Sequence, residues 1–347
     1  MAGGLKRQLG LWGVFSMASG AMISSGLFVL PGIAFAEAGP AVILSYAIAA
    51  IFIIPSLLSM AELSTAMPKA GGDYFFIERS MGPLAGTLAG LAAWFSLTLK
   101  SAFALLGIGA FAALVYPDIT QLQVKLIAIA FCIIFTALNL ASIESVGKAQ
   151  IVLVIMLLAL LLLYIGKGIT SVSVHRFDEF MPTGFNSVLA TAGLVFVSFG
   201  GLTKVASIAE EVRNPGKTIP LGMFIAFLVV SILYIATIFV TVGVLEPETL
   251  SGSLTPISLG AGVTMGRFGV IALAIAAILA FVTTANGGIA SASRSPMAMS
   301  RDGLLPSFLH KLSPGRGTPT ISILLTSSFM ILVIAFLSLE NLVKTAS

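Results

Sequence analysis

Ser24, Ser25 and Gly26 interrupt an otherwise apolar run, Gly20-Ala21-Met22-Ile23-Ser24-Ser25-Gly26-Leu27-Phe28. A helix that breaks and restarts there exposes unpaired N–H groups and the positive end of its backbone dipole. Such amides hold a carboxylate without a basic side chain, and Gly26 lets a ligand approach the main chain closely. A second interruption falls at Val197-Ser198-Phe199-Gly200-Gly201-Leu202-Thr203. Carbonyls released around Val197, Phe199 and Gly200 would accept hydrogen bonds from an ammonium group. With Ile23, Ser24, Ser25 and Gly26, they match the two poles of an α-amino acid. Small residues also serve close helix packing, so either stretch alone reads as packing just as well. The two together, in register, carry the binding reading.

The elements that hold these groups are predicted to be membrane helices. Hydrophobic residues make up 58% of the 347 and charged residues 9%, against about 25% charged in soluble domains. The apolar runs reach about 20 residues, the length that crosses a hydrocarbon core. Nine spans are read, at Leu11–Phe35, Ala41–Ala66, Leu84–Val115, Leu122–Ala141, Ala149–Ile165, Val188–Ile208, Leu221–Val244, Phe268–Ala292 and Ile321–Leu337. Breaks stand at Gly39-Pro40, Gly82-Pro83, Pro117, Asn214-Pro215-Gly216 and Gly317-Thr318-Pro319. Within lipid, unwound backbone is tolerated only beside a cavity or inside protein. Interruptions at matching places in spans one and six therefore predict a binding site near the membrane midplane of a secondary transporter.

Lys6, Arg7, Lys69, Arg79, Lys148, Arg213, Lys217, Arg294, Arg301, Lys311 and Arg316 fall on one side of this topology, and Lys167, Arg176, Arg267 and Lys344 on the other. The positive-inside rule then places the N-terminus in the cytoplasm of a multi-pass protein of the cytoplasmic membrane. The basic residues lie between spans rather than on one face, which excludes a nucleic-acid partner; the partners expected are the lipid bilayer and a small molecule. Cys132 is the only cysteine, so no internal disulfide forms. Thr170–Asn186 and Glu246–Gly266 are too short for soluble domains, and the second is read as a connecting loop. His175 and His310 fall in loops, and no paired acids or metal-ligand cluster lies within spans, so the chain is not read as an enzyme and no cofactor is expected.

Four ordered motifs give a resemblance. Gly20 to Pro31, Met67-Pro-Lys-Ala-Gly-Gly-Asp-Tyr74 with Glu78 to Pro83, Phe199-Gly-Gly-Leu-Thr-Lys204 with Ala209 to Pro220, and Ala292 to Pro306 resemble the amino acid–polyamine–organocation (APC) superfamily. The resemblance covers nearly the whole chain. It implies an all-α polytopic fold of the leucine-transporter type, in which helices one to five and six to ten form an inverted repeat with helices one and six broken. It implies secondary active transport of amino acids by alternating access. Residues 1–347 are expected to form one transmembrane domain, with helices one to five over about 11–165 and six to nine over about 188–337. The tenth helix is missing, so the chain is expected to be truncated, and a transport-incompetent fragment is an alternative. The other is an amino acid/polyamine exchanger, although few acids in the spans are available for a polycation. With no fixed charge facing the ligand, a neutral, small or apolar amino acid is favoured.

The coupling ion, Na+ or H+, stays open at this point. Some proton-coupled relatives carry a lysine in helix five; here Ile151 to Ile165 has no ionisable group but Tyr164. Ala280, Thr283 and Thr284, with the carbonyls of Gly20 and Ile23, resemble the sodium site of leucine-type transporters, while threonines also bond to their own helix carbonyls. Lys100 and Lys204 lie within spans, where a charge usually faces a cavity or a partner. Either is a candidate for coupling, with Glu62 and Glu210 as available partners.

Overall fold

The structure, a computed structural model, describes residues 5–336. Leu337 and Lys344, named above, lie outside them. The helices are α1 (Leu11–Met22), α2 (Ser25–Phe28), α3 (Leu30–Ala38), α4 (Val42–Ala66), α5 (Asp73–Met81), α6 (Pro83–Val115), α7 (Gln121–Ala141), α8 (Ile143–Gly168), α9 (Gly184–Phe196), α10 (Lys204–Ser207), α11 (Pro215–Val244), α12 (Pro247–Leu250), α13 (Pro256–Arg301) and α14 (Thr320–Phe336). Among the described residues seven helical stretches are long and apolar enough to cross a membrane, and Leu11–Met22 and Thr320–Phe336 are shorter apolar helices. The protein is an all-α, multi-pass membrane protein.

Local chemistry sets the boundaries. Thr120 caps α7 through a reciprocal pair with Gln123, and Ser142 caps α8 by accepting from Ser145 N–H. Gly82, at φ 87°, turns the chain into Pro83 at the start of α6. Three expected boundaries are corrected. Span five starts at Ile143 rather than Ala149, because the Ser142 cap lies upstream of the most apolar run. Span seven starts at Pro215 and carries Pro220 inside it, rather than at Leu221. Span eight is far longer than Phe268–Ala292: it begins at Pro256, kinks at Gly266 (φ 62°) and continues to Arg301. The region read as a loop is therefore partly helical, with Pro256, Ile257, Ser258, Gly260 and Ala261 buried. Its polar far end, Ser291 to Ser300, stays helical because it too is buried in protein rather than facing solvent. Hydropathy could not see that.

Between α8 and α9 the chain forms two short 3-10 turns, Ile169–Ser171 and Val174–Phe177. The Arg176 guanidinium there takes both carboxylate oxygens of Glu246 across to the α11–α12 connection.

Candidate functional site

The first interruption is a true break. Ile23 (φ −73°, ψ 100°) and Ser24 (φ −152°, ψ −136°) leave helical geometry between α1 and α2. Among the described residues the amides of Ser24, Ser25 and Gly26 donate to no backbone acceptor outside the helices, while Leu27 and Phe28 restart the ladder on the Ser24 carbonyl at 3.1 and 3.2 Å. Ile23, Ser24 and Gly26 are buried and Ser25 is exposed. Two tyrosines take the released carbonyls. Tyr234 donates to Met22 O at 2.7 Å and Tyr46 to Gly26 O at 2.6 Å, and their rings meet edge to face at 5.7 Å. In a buried setting an unpaired carbonyl is costly, so these hydroxyls make the break affordable. Nothing local to residues 20–28 pointed to tyrosines 20 and more than 200 residues away.

The second interruption differs from expectation. Val197–Thr203 is not unwound but wound tighter, into a 3-10 helix between α9 and α10. Its residues keep near-helical dihedrals at both caps, so carbonyl release is smaller than in an extended break. Phe199 is fully buried against Tyr234, at 5.4 Å between ring centroids, and Phe227, at 6.4 Å. Val197 is 65% exposed and points away from this cluster. Phe103 is half-buried against the core.

The two interruptions pack directly on each other. A side chain at Gly201 would run into the main chain of Ala21 and lie 2.5 Å from Met22 N; one at Gly26 would run into the Ser198 side chain. The Gly26 approach expected for a ligand is thus taken by the helix-six segment. Ser198 Oγ is buried there without a partner. At Gly200 a Cβ would meet nothing within 4 Å, so this residue borders open space.

Four of the five proposed ion ligands come together. Thr284 Oγ1 donates to Gly20 O at 3.0 Å, and Thr283 Oγ1 lies 3.3 Å from Gly20 O and 2.8 Å from Ala280 O. The Ile23 carbonyl accepts none of these bonds. Lys204 is buried, and its Nζ reaches Thr284 O at 3.4 Å. Lys100 is half-buried on α6. Neither lysine is in an ion pair among the described residues. Glu62 is exposed and Glu210 is engaged elsewhere, so the partners suggested for the lysines are not theirs.

The other three motifs converge at one end of the bundle. Arg294 on α13 and Glu211 form a doubly hydrogen-bonded ion pair at 2.9 and 3.0 Å, both side chains essentially inaccessible. The Glu211 carbonyl accepts from the amides of Gln8 and Leu9, and Leu9 O accepts from Arg213 N–H. Glu210 binds Arg301 at 2.8 Å and the amides of Leu5 and Ala70 at 3.0 and 3.1 Å. Tyr74 donates to Asp302 at 2.8 Å. Residues 5–9 are thus strapped across the segment after α10. Burial works to raise the Glu210 carboxyl, but the Leu5 and Ala70 amides and the Arg301 charge outweigh it and hold the carboxyl below its ordinary range. A depressed folded-state value contributes stability above the unfolded value, and loses it as pH falls through the folded one. Hydrogen exchange, corrected for the intrinsic rate, should show the Leu5 amide protected from neutral pH down to below about 4.3, the usual Glu value. Loss of protection already near neutral pH would contradict this assignment.

Comparison with known proteins fits this geometry. The family model described as amino acid permease matches residues 9–346. The branched-chain amino acid permease BcaP of Bacillus subtilis is 30% identical over 98% of this chain and 77% of its own length. The methylthioribose transporter of the same organism is 28% identical, over 97% of this chain and 77% of its own. Cationic amino acid transporter 4, vacuolar, of Arabidopsis thaliana is 29% identical over 92% of this chain and 56% of its own. The chain belongs to the amino acid permease family of the APC superfamily, a family of transporters and not of enzymes.

Proposed function

We propose that this permease carries an α-amino acid across the cytoplasmic membrane by alternating access, with its N-terminus in the cytoplasm. The observation that carries the reading is the break at Ile23–Ser24, whose three amides are left over where α1 and α2 meet the Val197–Thr203 turn. The carboxylate rests on the amides of Ser24 and Ser25, with Gly26 holding the helix-six segment close. The ammonium faces the Ile23 carbonyl and those of Val197, Phe199 and Gly200. An apolar or small side chain suits a break beside which the buried rings of Phe199, Tyr46 and Tyr234 pack on one another. The name of the branched-chain relative supports that choice.

Coupling runs through a proton on Lys204. Lys204 is a buried intramembrane lysine with one long hydrogen bond and, among the described residues, no ion-pair partner, the placement expected of a group that handles a transported charge. Sodium is the second reading, favoured by the meeting of Gly20 O, Ala280 O and the two threonine hydroxyls. The test is uptake of radiolabelled leucine by the full chain in liposomes. An inward proton gradient should drive accumulation, and Lys204→Met should remove that drive while leaving leucine–leucine exchange. Accumulation driven only by a sodium gradient would contradict the proton assignment, and exchange with no net accumulation under either gradient would favour an exchanger.

A further inference from the structure

A cavity of about 830 Å³ opens at the end of the bundle where residues 5–9 cross, and its walls are cationic. Lys6 comes from the crossing segment and Lys69 from the connection between α4 and α5; Arg301, His310 and Lys311 come from the end of α13 and the turns beyond it. The carboxylate among these lining residues is Glu210. Both its oxygens are engaged, by the Leu5 and Ala70 amides and by one nitrogen of Arg301. Glu210 thus balances Arg301 and leaves the lysines uncompensated. An ammonium offers three N–H donors. Lys6 uses one of its three, on the Gly315 carbonyl. The side chains of Lys69 and Lys311 have no hydrogen-bond or ion-pair partner among the described residues.

Basic residues gather on one face of a membrane protein whether or not they bind anything. These three are set in a frame. Leu5, Ala70 and Met297 form a small apolar core of their own, with Leu312 packed against it. Each lysine is the chain neighbour of one of these residues: Lys6 of Leu5, Lys69 of Ala70, Lys311 of Leu312. The Lys6 stem runs along Gly317 (φ 73°), where a Cβ would stand 3.2 Å from it. The turn that carries Gly315 and Gly317 is closed by Gly317 N–H on Ser313 O at 3.0 Å and Ser313 N–H on Thr318 O at 2.8 Å. Three separate elements therefore bring three ammonium groups to one space. A phosphoryl group, with its several acceptor oxygens and a charge of about −1.5 to −2 when it is a monoester, matches such a set better than a singly charged carboxylate. Lysine serves phosphate as a point charge, and basic pockets between membrane helices hold phosphate-bearing head groups.

We propose that Lys6, Lys69 and Lys311 form a binding site for a phosphate-bearing anion, which ties residues 5–9 to the connections after α4 and α13. The inference goes beyond the transport reading and does not depend on what is carried. The phosphoryl group has two sources, an anionic lipid head group or a free phosphate compound, and two probes separate them. The measurement is the thermal unfolding transition of the purified full chain in neutral detergent, which a ligand that binds only the folded state raises. One probe is pyrophosphate, against chloride at equal ionic strength; the other is phosphatidylglycerol in mixed micelles, against phosphatidylcholine. A rise with pyrophosphate supports a free phosphate, a rise with phosphatidylglycerol alone supports a head group, and a rise with both supports the shared chemistry. Lys69→Gln with Lys311→Gln breaks no protein hydrogen bond, so the transition without probe should stay at the wild-type value. Its apparent affinity for the active probe should fall about tenfold or more. Lys148→Gln with Lys217→Gln removes the same charge from exposed positions outside the cavity and should keep the rise. With the probe bound, the Leu5 amide should also exchange more slowly. No rise with either probe would overturn the proposal, as would a wild-type rise in the Lys69/Lys311 variant. Equal losses in the two double variants would overturn it too, by showing a response to net charge alone.

Discussion

Replacing Gly201 by valine is expected to abolish substrate binding and transport and to lower the yield of folded protein. The added atoms run into Ala21 and Met22, and what they meet is main chain, which no rotamer change can clear. Overpacking a fitted contact typically costs about 1–3 kcal/mol, and here relief requires moving the two broken segments apart, which pulls apart the groups on which binding depends. Gly200→Ala is the control, since a Cβ there meets nothing within 4 Å. It should fold normally by size-exclusion profile and thermal transition, and alter the preference among amino acids if the open side of Gly200 faces the ligand. A Gly201→Val protein that folds and binds as the wild type would show that the close crossing of the two interruptions is not needed.

Glu211→Ala should be the most destabilising single change at the end of the bundle where residues 5–9 cross. It leaves the Arg294 guanidinium buried without its counter-charge, retaining the Ser293 hydroxyl at 2.9 Å as a neutral partner. Breaking a buried pair from one side costs about 3–5 kcal/mol, whereas replacing both members by apolar residues of similar volume is often close to neutral. Glu211→Leu with Arg294→Met should therefore recover most of the loss in a thermal unfolding series. Equal damage from the single and double variants would mean that the pair holds the strap from residue 5 to residue 9 by shape rather than by charge.

Much of this fold was legible because hydrocarbon imposes a simple code: an apolar run long enough to cross must be helical. The break in the first span was legible for the same reason, since Ser24, Ser25 and Gly26 stand out in such a run. The limits of the spans were less so. Ser291 to Ser300 reads as polar and is yet buried helix, because its partners, Glu211 among them, come from distant sequence. The second interruption was located correctly and its shape was not, because glycines announce a weak point without saying whether the chain opens or tightens there. Tyr46 and Tyr234 were invisible as site residues. Each acts on a carbonyl of α1 or α2 from another helix, and a single sequence shows no pairing at that distance.

The central claim is that the unpaired amides at the Ile23–Ser24 break read a carboxylate. The measurement that bears on it most directly compares the affinity of the purified, folded full chain for leucine and for its decarboxylated amine, isoamylamine, under identical conditions. The two share the apolar side chain and the ammonium and differ at the carboxylate. Loss of charge-assisted hydrogen bonds worth about 1.5–3 kcal/mol corresponds to about 10- to 150-fold weaker binding of the amine. That loss is the predicted result. Equal affinity for the two would contradict the account and turn the assignment toward an amine or polyamine carrier.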